Sequence, residues 1–227
     1  MDNINSANFK YFDIITGLFV AILIISEITA AKLFRLGSLT LPGAFIIFPI
    51  SYIFGDVLTE VYGYQKSRRV IWTGFASLLL LSIILWIVQL LPPAASWPNQ
   101  QAYDVILGIV PRITGASIIG YWAGEFANSY ILAKLKLATK GRLLWTRTIG
   151  STVVGQAVDT VIFLSAAYYG TIPNPVLLSI IASLYLFKVA YETIATPLTY
   201  LVVNYLKKAE GRDTYDYHTN FNPFRLN

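Results

Sequence analysis

From Val70 to Leu91 the chain runs without a single charged side chain. A helix needs about 20 mainly apolar residues to cross the hydrocarbon core of a bilayer, and this run supplies them. Five further runs of the same character accompany it, so six spans can be drawn, at 12–33, 41–62, 69–91, 105–133, 149–170 and 176–206. Inside a bilayer a run of this length satisfies its backbone N–H and C=O groups by coiling into a helix. The expected fold is therefore an all-α integral membrane protein, with six transmembrane helices over residues 1–206 and a polar tail over 207–227. A content of 56% hydrophobic and 13% charged residues excludes an ordinary soluble domain.

The charged residues are few and unevenly placed. Lys66, Arg68 and Arg69 follow the second run; Lys134, Lys136, Lys140, Arg142 and Arg147 join the fourth to the fifth; Lys207, Lys208, Arg212 and Arg225 follow the sixth. The positive-inside rule puts these segments, and both termini, in the cytoplasm. The net charge of +5 then reads as topology rather than as a nucleic-acid surface. Lys32 and Arg35 lie on the opposite side; Lys32 can instead belong to a polar face of the first span. The opening segment Met1–Asn8 lacks a basic n-region, so no cleavable signal is expected. With no cysteine and only His218, in the tail, the chain offers no thiolate site, no histidine-based triad and no His-Glu-x-x-His. No enzyme activity, catalytic residue, metal or cofactor is expected.

The spans nonetheless carry acids. Asp56 and Glu60, spaced i,i+4 in the second, share one helix face. Glu27 and Lys32 lie in the first span, Arg112, Glu125 and Asn128 in the fourth, Gln156 and Asp159 in the fifth, Lys188 and Glu192 in the sixth. The third has only Gln89 near its end, so it can face lipid while the others converge. A carboxylate at the bilayer centre costs roughly 2.5–3.5 kcal/mol or more, so such faces look into a shared interior. For Glu60 a place among the headgroups competes with that reading, and for Lys188 a fixed ion pair with Asp159 or Glu192 competes with a role in binding. Several carboxylates with amides and few cations call for a ligand rich in N–H donors, because ionised carboxylates only accept. The edge of a planar amino-pyrimidinone such as guanine fits one carboxylate, and Tyr52 and Trp122, close to the acids in sequence, can stack on a flat ring or serve as packing.

Two segments, Arg112-Ile-Thr-Gly-Ala-Ser-Ile-Ile-Gly120 and Arg147-Thr-Ile-Gly-Ser-Thr-Val-Val-Gly155, repeat a pattern at the starts of oppositely directed spans. An inverted repeat of that kind places sites at the midplane in transporters; small residues that let helices approach closely explain it equally, as they do Gly17-x-x-x-Ala21. Pro49 and Pro197 are expected to kink spans two and six.

Three stretches in order, Phe48-Pro-Ile-Ser-Tyr-Ile-Phe-Gly-Asp56 through Thr59-Glu-Val-Tyr-Gly63, Gly155-Gln-x-x-Asp159-Thr-x-x-Phe163, and Lys188-x-x-x-Glu192-x-x-x-Thr196-Pro197-x-x-Tyr200, resemble the queuosine precursor transporter family over nearly the whole chain. The resemblance implies uptake of 7-cyano-7-deazaguanine, with 7-aminomethyl-7-deazaguanine as a second cargo, across the bacterial inner membrane. It also implies a six-helix fold like that of the substrate-binding subunit of energy-coupling-factor transporters, working without the ATPase; a capturing subunit of such an ATP-driven complex is the alternative. The expected substrate-binding residues are Asp56, Glu60, Glu125, Asn128, Gln156, Asp159, Lys188, Glu192, Tyr52 and Trp122, with Asp159 and Glu192 foremost, and Glu60 and Glu125 as an inner gate or proton carriers. The expected partners are the 7-deazapurine and the lipid bilayer, with no nucleic acid; monomer and homodimer both stay open.

Overall fold

The computed structural model describes residues 9–36, 39–108, 110–168, 173–217 and 219–225. In chain order it comprises α1 (Phe12–Ala30), a hairpin of β1 (Leu33–Leu36) and β2 (Leu39–Pro42), a 3-10 turn over Gly43–Ile46, α2 (Phe48–Tyr62), α3 (Tyr64–Leu90), α4 (Gln100–Ile106), α5 (Val110–Ala138), α6 (Leu144–Tyr168) and α7 (Asn174–Glu210). Among the described residues α1, α3, α6 and α7 are long and apolar enough to cross a membrane. α2, at 15 residues, is too short by that measure, and α5 is long but too polar.

The short helix is the axis of the bundle. α2 packs against α1, α3, α5 and α7, and from Ser51 to Tyr62 every residue but Phe54 is buried. Burial on all sides is what lets so short a helix persist, since tertiary packing rather than propensity supplies most helical stability. Its apolar residues Ile53, Val57, Leu58 and Val61 meet Phe19 and Leu23 of α1, Val70 and Leu78 of α3 and Val203 and Leu206 of α7 in one core. The outward face of α3 is left apolar and open through Leu80, Ile84 and Trp86.

Several expectations change at the element ends. The run drawn as 41–62 opens as an antiparallel hairpin, with Phe34 paired to Leu41 and Arg35 to Thr40, and turns helical only at Phe48; the Pro42-Gly43 step stops the strand. Pro49 sits in the first turn of α2, where its missing N–H has no intrahelical partner to lose, so it starts the helix and does not bend it. α7 continues through Pro197 as one helix. Lys32 lies beyond α1 and is exposed, hence a loop charge and no part of a polar face of α1. The fourth run is split into α4 and α5. Arg112 has no described side-chain surroundings, so its expected place in the interior lies outside the described residues.

Glycine repeats show what they were for. A Cβ on Gly124 would stand 2.5 Å from Cβ of Asp159 and 2.8 Å from the Gly155 carbonyl, and one on Gly155 would stand 2.7 Å from Cβ of Asn128. These glycines let the α5 and α6 backbones touch. Gly17 and Gly115 have open space around them, so close approach explains neither.

The tail folds back over one end of the bundle. Both oxygens of the Asp216 carboxylate accept from the Tyr64 N–H at the start of α3, at 3.1 Å each, and Oδ1 also accepts from the Thr219 hydroxyl at 2.8 Å. Arg68 donates to the carbonyls of Asn220 and Asn222 at 2.7 and 2.6 Å, and the Trp72 indole to that of Pro223 at 2.8 Å. Gly63, with φ of 84° between α2 and α3, makes the tight turn beneath it, and any side chain there would press on Thr214 at 2.8 Å.

Candidate functional site

Polar residues of α2 form a ladder of Tyr52, Asp56 and Glu60 one turn apart, and each rung gathers partners from other helices. At the first rung the Tyr52 hydroxyl donates to Asp159 Oδ2 at 3.2 Å, and Lys188 of α7 donates to the same oxygen at 2.5 Å. The Lys188 ammonium also lies 5.9 Å from the centre of the Tyr52 ring.

At the second rung Asn128 Nδ2 of α5 donates to Asp56 Oδ1 at 2.9 Å. Glu125, one turn earlier on α5, is 1% exposed and lies against Gly55; a Cβ on that glycine would be 2.0 Å from Glu125 Oε1. Glu192 and Asp159 face Glu125, and Glu192 also faces Asp56. Gln156, 2% exposed, reaches the Tyr52 hydroxyl from α6. Six oxygens of this layer are sealed from solvent with no hydrogen-bond donor among the described residues: Asp56 Oδ2, both of Glu125, Asn128 Oδ1, Gln156 Oε1 and Glu192 Oε1. Buried polar atoms are normally satisfied, so six acceptors without a partner among the described residues set this layer apart from the rest of the bundle.

The third rung differs in kind. Glu60, fully buried, takes two hydrogen bonds from the Arg147 guanidinium, at 2.8 and 2.7 Å, and one from Lys207 at 2.6 Å. Its backbone carbonyl accepts from Lys136 at 2.6 Å, and the same ammonium bonds Asp213 of the tail at 2.6 Å. Glu60 thus ties α2, α5, α6 and α7 together, and its oxygens are already spoken for. Glu60, expected among the substrate ligands, is placed in this cation network and away from the second-rung acceptors. Trp122, also expected at the site, packs on Trp72, Phe126 and Phe224 at centroid distances of 5.8, 5.2 and 5.5 Å, in the aromatic cluster under the tail. The remaining eight residues of the expected set, Tyr52, Asp56, Glu125, Asn128, Gln156, Asp159, Lys188 and Glu192, are brought together.

Sequence reasoning missed Gly55, whose lack of a side chain makes room for Glu125, and it read Arg147, Lys136 and Lys207 as topology alone. Their signal was the Glu60 carboxylate, which needed a cation wherever it was buried. Glu27 of α1 joins from above, accepting from Thr114 of α5 at 3.2 Å. Among the described residues no group of three His, Asp or Glu side chains is arranged to hold a metal ion. A groove of about 780 Å³ between α1, α2 and α7 has mainly apolar walls, including Leu18, Ile53, Phe54 and Leu198, and none of the acids of the ladder lines it.

The profile of the family described as "Putative vitamin uptake transporter" matches residues 42–202, from the end of the hairpin into α7. The "Probable queuosine precursor transporter" of Bacillus subtilis (strain 168) is 34% identical over 188 residues, covering 81% of this chain and 82% of that one. The "Queuosine precursor transporter" of Escherichia coli (strain K12) is 28% identical over 59% of this chain and 58% of its own. A "Probable queuosine precursor transporter" of Haemophilus influenzae is 23% identical over 55% and 50%. No solved structure matches the chain significantly. The family match takes in α3 together with α2, α5, α6 and most of α7, the last four being the helices that build the three rungs, and the chain belongs to the vitamin uptake transporter family.

Proposed function

We propose that this membrane protein takes up queuosine precursors, 7-cyano-7-deazaguanine first among them, through the polar centre around Asp56, Glu125, Gln156, Asp159 and Glu192. The observation that carries the reading is the set of six buried acceptor oxygens with no donor. A 7-deazaguanine presents a ring N–H and an exocyclic amino group side by side, which a carboxylate receives as a pair. Asp159 is already engaged by Lys188 and Tyr52, so one carboxylate of the Glu125 and Glu192 pair takes the donor edge. Gln156 and Asn128 accept from the remaining N–H groups, and Lys188 donates to the ligand carbonyl. The buried rings of Tyr52 and Tyr121 flank the acids and supply a stacking surface.

Six helices, α1, α2, α3, α5, α6 and α7, cross the bacterial inner membrane in this reading, with both termini in the cytoplasm. Its support is that the start of α1 and the end of α7 meet: Glu210 accepts from the N–H groups of Lys10 and Tyr11 at 2.7 and 2.8 Å. The basic residues Arg68, Lys136, Arg147 and Lys207 gather beneath the tail at that same end.

The test is uptake of labelled 7-cyano-7-deazaguanine by proteoliposomes holding only this chain. Saturable uptake, competed by guanine and not by adenine, is expected, with strong loss in Glu125→Gln and Asp159→Asn. Equal competition by adenine, or no binding at all, would sink the assignment. Binding without uptake would point to a capturing subunit that needs an ATP-driven partner.

A further inference from the structure

The second rung holds more acids than its cations neutralise. Around Glu125 stand Asp56 and Tyr52 from α2, Asp159 from α6, Glu192 from α7 and Tyr121 from its own helix. Lys188, on α7, is spent on Asp159. Glu60, one turn from Asp56, is answered by its own Arg147, Lys136 and Lys207, and Glu27 lies off toward Thr114. Asp56, Glu125 and Glu192 therefore share a sealed site in which, among the described residues, the Asn128 amide donates to one Asp56 oxygen and the other Asp56 oxygen, both of Glu125 and Glu192 Oε1 have no donor.

Three ionised carboxylates so placed are prohibitive. Each carries the cost of a charge at bilayer depth, and neighbouring carboxylates repel, so that closely spaced acids hold protons between them. A protonated carboxyl is also a donor, and its O–H can satisfy an orphan acceptor such as Gln156 Oε1 or Asn128 Oδ1. The unliganded site thus meets its shortage of donors with protons. A ligand that brings paired N–H donors meets the same shortage in another way, and a carboxylate must be ionised to accept both.

We propose that this cluster binds its ligand in exchange for a proton: N–H donors and protons compete for the oxygens of Glu125, Glu192 and Asp56, and each donor-edged ligand that binds releases about one proton to solvent. This rests on the guanine-like ligand assigned above. One edge consumes one carboxylate, so the other two acids keep their protons. The apparent affinity then tightens by up to about tenfold per pH unit as pH rises, for as long as the empty site remains protonated. The site is in this way sensitive to the acidity of the side on which it opens.

The test uses the full-length chain in detergent and titrates it calorimetrically with 7-cyano-7-deazaguanine in two buffers of different ionisation enthalpy. The difference in apparent heat counts the protons exchanged. Release of about one proton, and tighter binding at higher pH, is the expected result. Tight binding with a heat independent of buffer, or with proton uptake, overturns the exchange while leaving the proposed function standing. No binding of the wild-type chain overturns the proposed function, and the exchange with it. Glu125→Gln and Glu192→Gln are measured separately, and at least one must lose the release; two variants that both bind and both release a proton as the wild type does would overturn the assignment. Should a variant fail to fold, the wild-type buffer comparison decides by itself.

Discussion

Replacing Glu60 by Gln separates a structural carboxylate from a ligand-binding one. The substitution keeps the shape of the side chain and removes its charge. Arg147 and Lys136, 2% and 1% exposed, then lose a carboxylate that stands 2.7 and 3.5 Å away, and Lys207 loses one at 2.6 Å. Asp213 remains for Lys136 and Lys207, at 2.6 and 2.9 Å, but Arg147 is left with no carboxylate, holding only the Arg142 carbonyl and the one oxygen that the new amide keeps. Removing one partner of a buried ion pair costs about 3–5 kcal/mol. For a chain of this size 1 kcal/mol moves the midpoint by about 2–4 °C, so a fall of roughly 6–20 °C is expected. The assay is thermal loss of the monodisperse peak in size-exclusion chromatography, paired with ligand binding measured well below the midpoint. Arg147→Met in the Glu60→Gln background is expected to recover part of the loss, because it removes the stranded cation. A Glu60→Gln protein as stable as wild type that had lost ligand binding would refute the reasoning and return Glu60 to the ligand site.

Gly55→Ala should displace the Glu125 carboxylate, because the new Cβ would start 2.0 Å from Oε1; overpacking of about 1–3 kcal/mol and a binding loss of tenfold or more are expected, read by titration. Gly155→Ala drives a methyl to 2.9 Å from the Gly124 carbonyl, a backbone atom that cannot swing away, so the α5–α6 contact should open and the midpoint fall by several degrees. Asp213 in the tail is pulled two ways: burial raises its pKa, but hydrogen bonds from Lys136 and Lys207 outweigh that and hold it below the usual carboxylate range. The stability it adds is fully present above the unfolded value near 3.9 and is lost as pH falls below that, through the lowered value. Limited proteolysis should find the tail protected at neutral pH and released in strong acid, and Asp213→Asn should release it at neutral pH as well.

The apolar runs by themselves determined that this is a helical membrane protein. The reason is general: in hydrocarbon a chain must close its own backbone hydrogen bonds, and length and hydropathy leave little choice. The acids inside those runs, and the i,i+4 step from Asp56 to Glu60, marked the polar centre in advance, because a charge there is too costly to be idle. What those residues could not tell was which acid meets which partner. Asp56 and Glu60 lie on one face of one short helix, yet one sits among unfilled acceptors and the other inside a cage of Arg147, Lys136 and Lys207. The cations that make the difference come from 76 to 147 positions away, and a pairing over such distances depends on how the helices pack. The same holds for Trp122, whose neighbours Trp72 and Phe224 arrive from α3 and from the folded-back tail. The shortness of α2, and the hairpin ahead of it, were hidden because an apolar run reads alike as strand, turn or helix until its surroundings are known. Composition decided the solvent in which the chain folds; only the tertiary contacts decided which of its charges are balanced by a cation and which are not.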